Sequence, residues 1–181
     1  KITELYLLSV KEEKLLQQTK LDTYDALIIK GNTRSLRPAL FDLLAHRALG
    51  YFGNDERDIK KPAYAFEINQ PEAFAPAKDF ASVKFTTNDE LSLYHKALVM
   101  HQKLIAFHLN DINPDALIDA DIHRLQFVKQ NGVMNDKDML FKKALEQITK
   151  KYADKPAAAQ AWYLIAQQYE TAAAGYTAGK D

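Results

Sequence analysis

The sequence predicts an all-α fold of antiparallel helix pairs stacked as a tetratricopeptide-like α-solenoid. Three observations carry that expectation. Glycine and proline number only six each in 181 residues, whereas a turn-rich β-sandwich uses both freely. Apolar residues recur at helical rather than alternating spacing over most of the chain. The later helical stretches are joined by short turns rich in Asn, Asp and Pro, which bring each helix back alongside the one before it.

Taken in order, Ile2, Leu5, Tyr6, Leu8, Leu15 and Leu16 form an approximate stripe that predicts a helix over residues 1–18. A shorter apolar piece from Asp22 to Lys30 stops at Gly31-Asn32. Ser35 is the expected N-cap of the next helix, with Pro38 in its first turn and Gly53-Asn54 ending it after Phe52. Residues 54–87 interleave Pro62, Pro71 and Pro76 with Tyr64, Phe66, Phe74, Phe80 and Phe85. A disordered segment lacks so many rings, so an ordered loop pinned by aromatics is expected, with short helical turns near 71–82.

Four helices follow. The first is capped by Thr87 or Asn88 and runs to Leu109. The second is capped by Asn113, with Pro114 at its first position, and runs to Gln130. The third starts at Asn135-Asp136 and ends at Tyr152; the fourth runs from Pro156 to Ala174. The expected organisation is a single helical domain over 1–181: N-terminal helices at 1–53, the loop at 54–87 and helix pairs at 88–175.

Leu93-Tyr94-His95-Lys96-Ala97-Leu98 is echoed by Leu140-Phe141-Lys142-Lys143-Ala144-Leu145. Two helix pairs of similar design suggest an α-solenoid, in which each pair buries its apolar face on a neighbour. The strongest local pattern is FKKALEQITKKYADKPAAAQAWYLIAQQY, residues 141–169, which resembles a tetratricopeptide repeat junction. Trp162, Ile165, Ala166 and Tyr169 match the aromatic, aliphatic, small and aromatic packing positions of that family. Phe141, Ala144 and Leu145 match the end of the preceding helix. Ala166 would let a facing helix approach, with Trp162 and Tyr169 filling the flanking grooves.

Composition narrows the function. Lys plus Arg equals Asp plus Glu at 24 each, so no basic surplus points to nucleic acid. Without cysteine, disulfides and Cys-based zinc sites are excluded. No apolar run approaches the ~20 residues of a membrane helix, so direct membrane insertion is not expected. The sequence opens on Lys1 with neither Met nor a signal peptide, and the expectation is an excised segment of a longer protein.

Reactive residues were weighed against plain structural roles. On the helix after Pro38, a spacing of 100° per residue places Arg47 with Leu36, Leu40, Leu43, Leu44 and Tyr51 on the apolar face. It places Asp42 and His46 together as an ordinary i,i+4 pair, with His46 projecting from the polar side. Asp115, Asp119 and His123 recur at i, i+4 and i+8, a spacing suited to a metal or to a solvated face. His95, His101 and His108 share one helix at spacings poor for joint ligation; His101 and His108 project alike. No HExxH, phosphate loop or nucleophile setting occurs. Lys11-Glu12-Glu13-Lys14, Lys142-Lys143 and Lys150-Lys151 read as solvated faces. The expectation is therefore no catalytic residue, no cofactor and no metal.

Three stretches, GNTRSLRPALFDLLAHRALGYF (31–52), KPAYAFEINQPEAFAPAKDF (61–80) and DALIDADIHRLQFVKQN (115–131), together resemble the helical N-terminal region of Bacteroides-type bacterial α2-macroglobulin-like proteins. The resemblance implies an exported, envelope-associated parent, periplasmic or attached to the outer membrane, whose macroglobulin domains follow this region. It implies a parent that traps or inhibits proteases. None of that family's functional residues map onto this segment: its thioester needs a cysteine, and no bait region is identifiable. The expected role is a non-catalytic scaffold or interaction domain, with protein partners among adjacent macroglobulin domains, envelope proteins or proteases. The rival expectations are a free-standing solenoid adaptor that binds peptides and a hydrolase using Asp42, His46 or the Asp115/Asp119/His123 set.

Overall fold

The computed structural model describes residues 1–54 and 61–175; positions 55–60 of the expected loop and 176–181 of the expected domain lie outside them. Among the described residues there are eight α-helices: α1 (Ile2–Ser9), α2 (Glu13–Gln18), α3 (Leu40–Phe52), α4 (Ala77–Phe80), α5 (Leu93–His108), α6 (Asp115–Asn131), α7 (Lys137–Lys151) and α8 (Ala159–Ala174). Short 3-10 turns cover Leu21–Tyr24, Pro71–Phe74 and Pro156–Ala158. Extended backbone pairs only at two isolated bridges among these residues, Lys20 with Ala39 and Ile68 with Gly132. The chain is all-α, as its composition predicts.

The expected helix over 1–18 is broken in two. Neither α1 nor α2 contains a buried residue, whereas Val10 between them is buried. The chain leaves the helix there and seats Val10 in the core. α3 begins five residues after the expected cap, Ser35. Residues 33–37 close turns of their own, with the Leu36 and Arg37 amides donating to the Thr33 carbonyl. The Leu40 amide then donates to Thr19 and the Leu21 amide to Pro38, both at 2.8 Å, which holds Ala39 extended. Capping falls instead to Asp42, whose Oδ2 accepts the Ala39 amide at 2.8 Å.

α5 likewise starts later than expected. Ser92 caps it by accepting the His95 amide, while Thr87 accepts the amide of Asp89. Asp89 in turn accepts the Phe66 amide, so the polar residues taken for a helix cap tie down the aromatic loop. Pro114, Asp136 and Pro156 do mark the starts of α6, α7 and the turn into α8.

One apolar cluster runs from Val10 to Ile165, with Phe41, Phe52, Phe80, Leu98, Leu104, Ile105, Ile118, Leu125 and Leu145 essentially sealed from water. α5 packs on α3, α4 and α6, and α7 packs on α6 and α8. Tyr94 meets Phe127 while His101 meets His123, so α5 and α6 run antiparallel. Asp138 and Lys142 near the start of α7 meet Gln168 and Tyr169 near the end of α8, and a short turn joins the other two ends, so α7 and α8 do as well.

Residues 61–87 lie against this helical core. Arg124 of α6, with no exposed surface, donates to the carbonyls of Ala73 at 2.6 Å and Ala75 at 3.0 Å. Its guanidinium stacks 4.5 Å from the Phe80 ring and is paired with Asp121. Gln102 donates to Phe80 and Val83, and the Val133 amide donates to Ile68. The loop's backbone thus finds the partners that burial demands.

α8 turns Ala161, Leu164 and Ile165 inward but leaves Trp162 58% and Tyr169 59% exposed. This corrects the expectation that both rings fill grooves between packed helices. Among the described residues α8 is covered on one side only, by α7 and the turn at Pro156–Ala158.

Candidate functional site

α3 presents Phe41, Asp42, Ala45, Ala48, Leu49 and Phe52 to the core. Arg47 is exposed, and the His46 side chain is only 11% exposed. The expected order, Arg47 inward and His46 outward, is reversed. Helical spacing put Leu40, Leu43 and Leu44 on the buried face, but Phe41, Ala45, Ala48 and Phe52 are the residues fully sealed from water. Nor do Asp42 and His46 pair. Asp42 is buried and bonded to His108 of α5 at 2.8 Å.

Two polar constellations result. In the first, His108 sits between two carboxylates, its Nε2 on Asp42 and its Nδ1 on Asp111 at 2.7 Å. Burial opposes a charge on this ring, but the hydrogen bonds and charges of Asp42 and Asp111 outweigh it and raise the His108 pKa. An imidazolium donates one N–H to each carboxylate.

In the second, three helices each supply a histidine. His46 of α3 lies edge-on to His123 of α6, with ring centroids 5.1 Å apart; His101 of α5 lies 5.5 Å from His123 on its other side. Phe127 closes the floor, 5.3 Å from His101. Arg37 reaches in from the segment before α3, with its Nε 2.9 Å from Asp119 Oδ2 and an Nη bonded to Oδ1. His46 Nε2 lies 3.9 Å from the same carboxylate. Burial holds the His46 pKa down to about 3, assisted by Arg37, His123 and His108. Burial also lowers the pKa of His101, with help from His123, Arg124 and His46. It lowers that of His123 together with Arg37, against the opposing pull of Asp119. Nδ1 of His101 and Nδ1 of His123 are buried without a hydrogen-bond partner.

Two clefts flank the trio. One, of about 280 Å³, is lined by Leu21, Ile28, Arg34, Arg37, His46 and Arg47. The other, of about 260 Å³, includes Leu36, Arg37, Asp119, His123, Gln126 and Gln160. Burial disfavours a charge on each imidazole, and Arg37 is already paired with Asp119. No group of three or more His, Cys, Asp or Glu among the described residues has an arrangement that could hold a metal ion. The Asp115/Asp119/His123 row is divided among separate partners: Asp115 bonds Asn113, Asp119 bonds Arg37 and His123 faces His46. His95 bonds the Phe85 carbonyl through Nε2.

The trio was not anticipated from sequence, although a signal existed. His101 and His108 fall on the stripe Ala97, Leu98, His101, Leu104, Ile105 and His108, all buried in α5. Histidines that hold apolar register are core histidines.

A third feature is an open cleft of about 700 Å³ between α7 and α8, bordered by Met139, Lys142, Leu164, Gln168 and Tyr169. Lys142 Nζ donates to Tyr169 Oη at 2.7 Å and lies over that ring. Comparison with protein-family models, curated proteins and solved structures gave no match.

Proposed function

We propose that this chain is a non-catalytic helical scaffold or interaction domain, with tetratricopeptide-like helix pairs, of a bacterial α2-macroglobulin-like envelope protein. One observation carries the interaction role. Trp162, Ala166 and Tyr169, at i, i+4 and i+7, form an exposed stripe along α8 beside the Ala161, Leu164 and Ile165 face that packs inward, with only Lys142 of α7 reaching Tyr169. A small residue between two aromatics admits a helix at close range, and exposed Trp and Tyr favour protein interfaces. The buried charged groups support the scaffold role: Arg124, Asp42 and His108 are engaged with the protein's own elements. The parent's identity rests on the three stretches that resemble the macroglobulin-like family.

A photo-crosslinking residue placed at position 166, in the longer polypeptide expressed in its envelope, tests this reading. Crosslinks to a helical or macroglobulin segment, lost in Trp162→Ala/Tyr169→Ala, are expected. Absence of any crosslink at 166, alongside successful crosslinking at a control position, would overturn it. The α7–α8 cleft favours the rival reading, a peptide-binding adaptor; titration calorimetry with extended peptides that bind without the parent polypeptide would support that instead.

A further inference from the structure

We propose that the seam between α3 and α6 is an acid-released latch, closed while His46 and His123 are neutral and parted when they take up protons. The seam is made by two contacts: His46 against His123, and Arg37, just ahead of α3, on Asp119. Every charged or titratable group facing it bears on the outcome. Arg34 and Arg37 come from the segment before α3, His46 and Arg47 from α3, His101 and His108 from α5, and Asp119, His123 and Arg124 from α6. Asp119 is the one carboxylate in this set, and its two oxygens are already engaged by Arg37.

A proton arriving on His123 Nδ1 or His101 Nδ1 becomes a buried N–H with no acceptor. It also places a positive charge beside a guanidinium and another imidazole. The closed seam therefore disfavours a proton on His123, and Arg37 and His123 oppose one on His46, whereas an opened seam hydrates both rings fully and lets them accept it. The burial-lowered pKa values of both rings agree with this geometry.

The direction of opening is also specified. His108 carries its charge between Asp42 and Asp111, so acid leaves α3 tied to α5. The parting occurs on the α6 side of α3.

The magnitude follows from linkage. A ring excluded from protonation when closed and titrating at its ordinary value of 6.5 when open raises the opening constant about tenfold between pH 7.5 and 5.5. His46, pushed down to about 3 in the closed seam, supplies that tenfold, and His123 adds to it in the same direction.

The test is NMR on the whole chain over that pH range, following the histidine ring protons and the amide exchange of each helix, corrected for intrinsic rates. Exchange rising about tenfold or more in residues 33–47 and along the facing turns of α6, with α7 and α8 unchanged, is the expected result. His46→Gln should remove about tenfold of that response, and His123→Gln should reduce it further in the same direction. Ring protons of His46 and His123 that titrate near 6.5 with no change in exchange would overturn the proposal. So would exchange that rises equally in α7 and α8, because that is global unfolding. If either variant fails to fold, the unsubstituted chain decides the matter.

Discussion

Asp42 serves two elements with two oxygens: Oδ2 closes the start of α3 on the Ala39 amide, and Oδ1 holds His108 of α5. Removing it strands a buried imidazolium and opens a cap. Asp42→Ala should therefore cost about 3–5 kcal/mol, read from urea unfolding at pH 6.5. His108 sets the sign of one pH dependence. Its folded pKa is raised, so its contribution is complete below 6.5 and declines as pH rises through the higher folded value. The stability margin over His108→Gln should shrink between pH 6.5 and 9; a constant margin in paired melts would contradict the carboxylate–imidazolium bridge. Arg124→Ala leaves Asp121 buried alone and frees two loop carbonyls, so a loss of about 3–5 kcal/mol is expected. Arg47→Ala, at an exposed position, should fall within about 0.5 kcal/mol. Periodicity misplaced Asp42 and Arg47 because it sees one helix at a time. Asp42 is tolerated inside only because His108, 66 positions away, meets it there.

At the scale of elements, the sequence located helices better than their beginnings. Pro114 acts through its fixed φ and missing amide, so the start of α6 was legible; Gly53 does follow the last turn of α3, but in a right-handed conformation with φ −78° that any residue adopts. Ser35 and Thr87 were misread because each lies where tertiary hydrogen bonds hold the chain away from helix: Thr19 with Leu40 in one case, Asp89 with Phe66 in the other. The end of α6 offers a test of how closely the loop is fitted. Gly132 pairs with Ile68, and a Cβ there would meet the Val128 carbonyl oxygen at 2.7 Å and Met134 Cε at 2.9 Å. Backbone on one side leaves little room to adjust. Gly132→Ala should lower stability by about 1–3 kcal/mol, with faster amide exchange at Val133, whose N–H bonds Ile68. An unchanged melting temperature would show that the loop is looser there than its contacts indicate.

Across the whole molecule, the helical class was readable because low Gly and Pro content and apolar spacing are properties of the entire chain. The histidine trio was not, since His46, His101 and His123 come from three helices and meet only after packing. Trp162, Ala166 and Tyr169 of α8 were expected between packed helices and are exposed instead. Trp162→Ala should accordingly change global stability by less than about 1 kcal/mol while weakening any helix docked on that stripe.

Trp162 is the chain's single tryptophan, and its exposure has an optical consequence. Indole in water emits at long wavelength and is readily quenched by acrylamide. Emission from the folded chain should thus already look like that of a denatured protein, and unfolding should shift it little. A partner that covers α8 would move the emission to the blue and shelter it from quencher, so one native side chain reports occupancy of that face without a label.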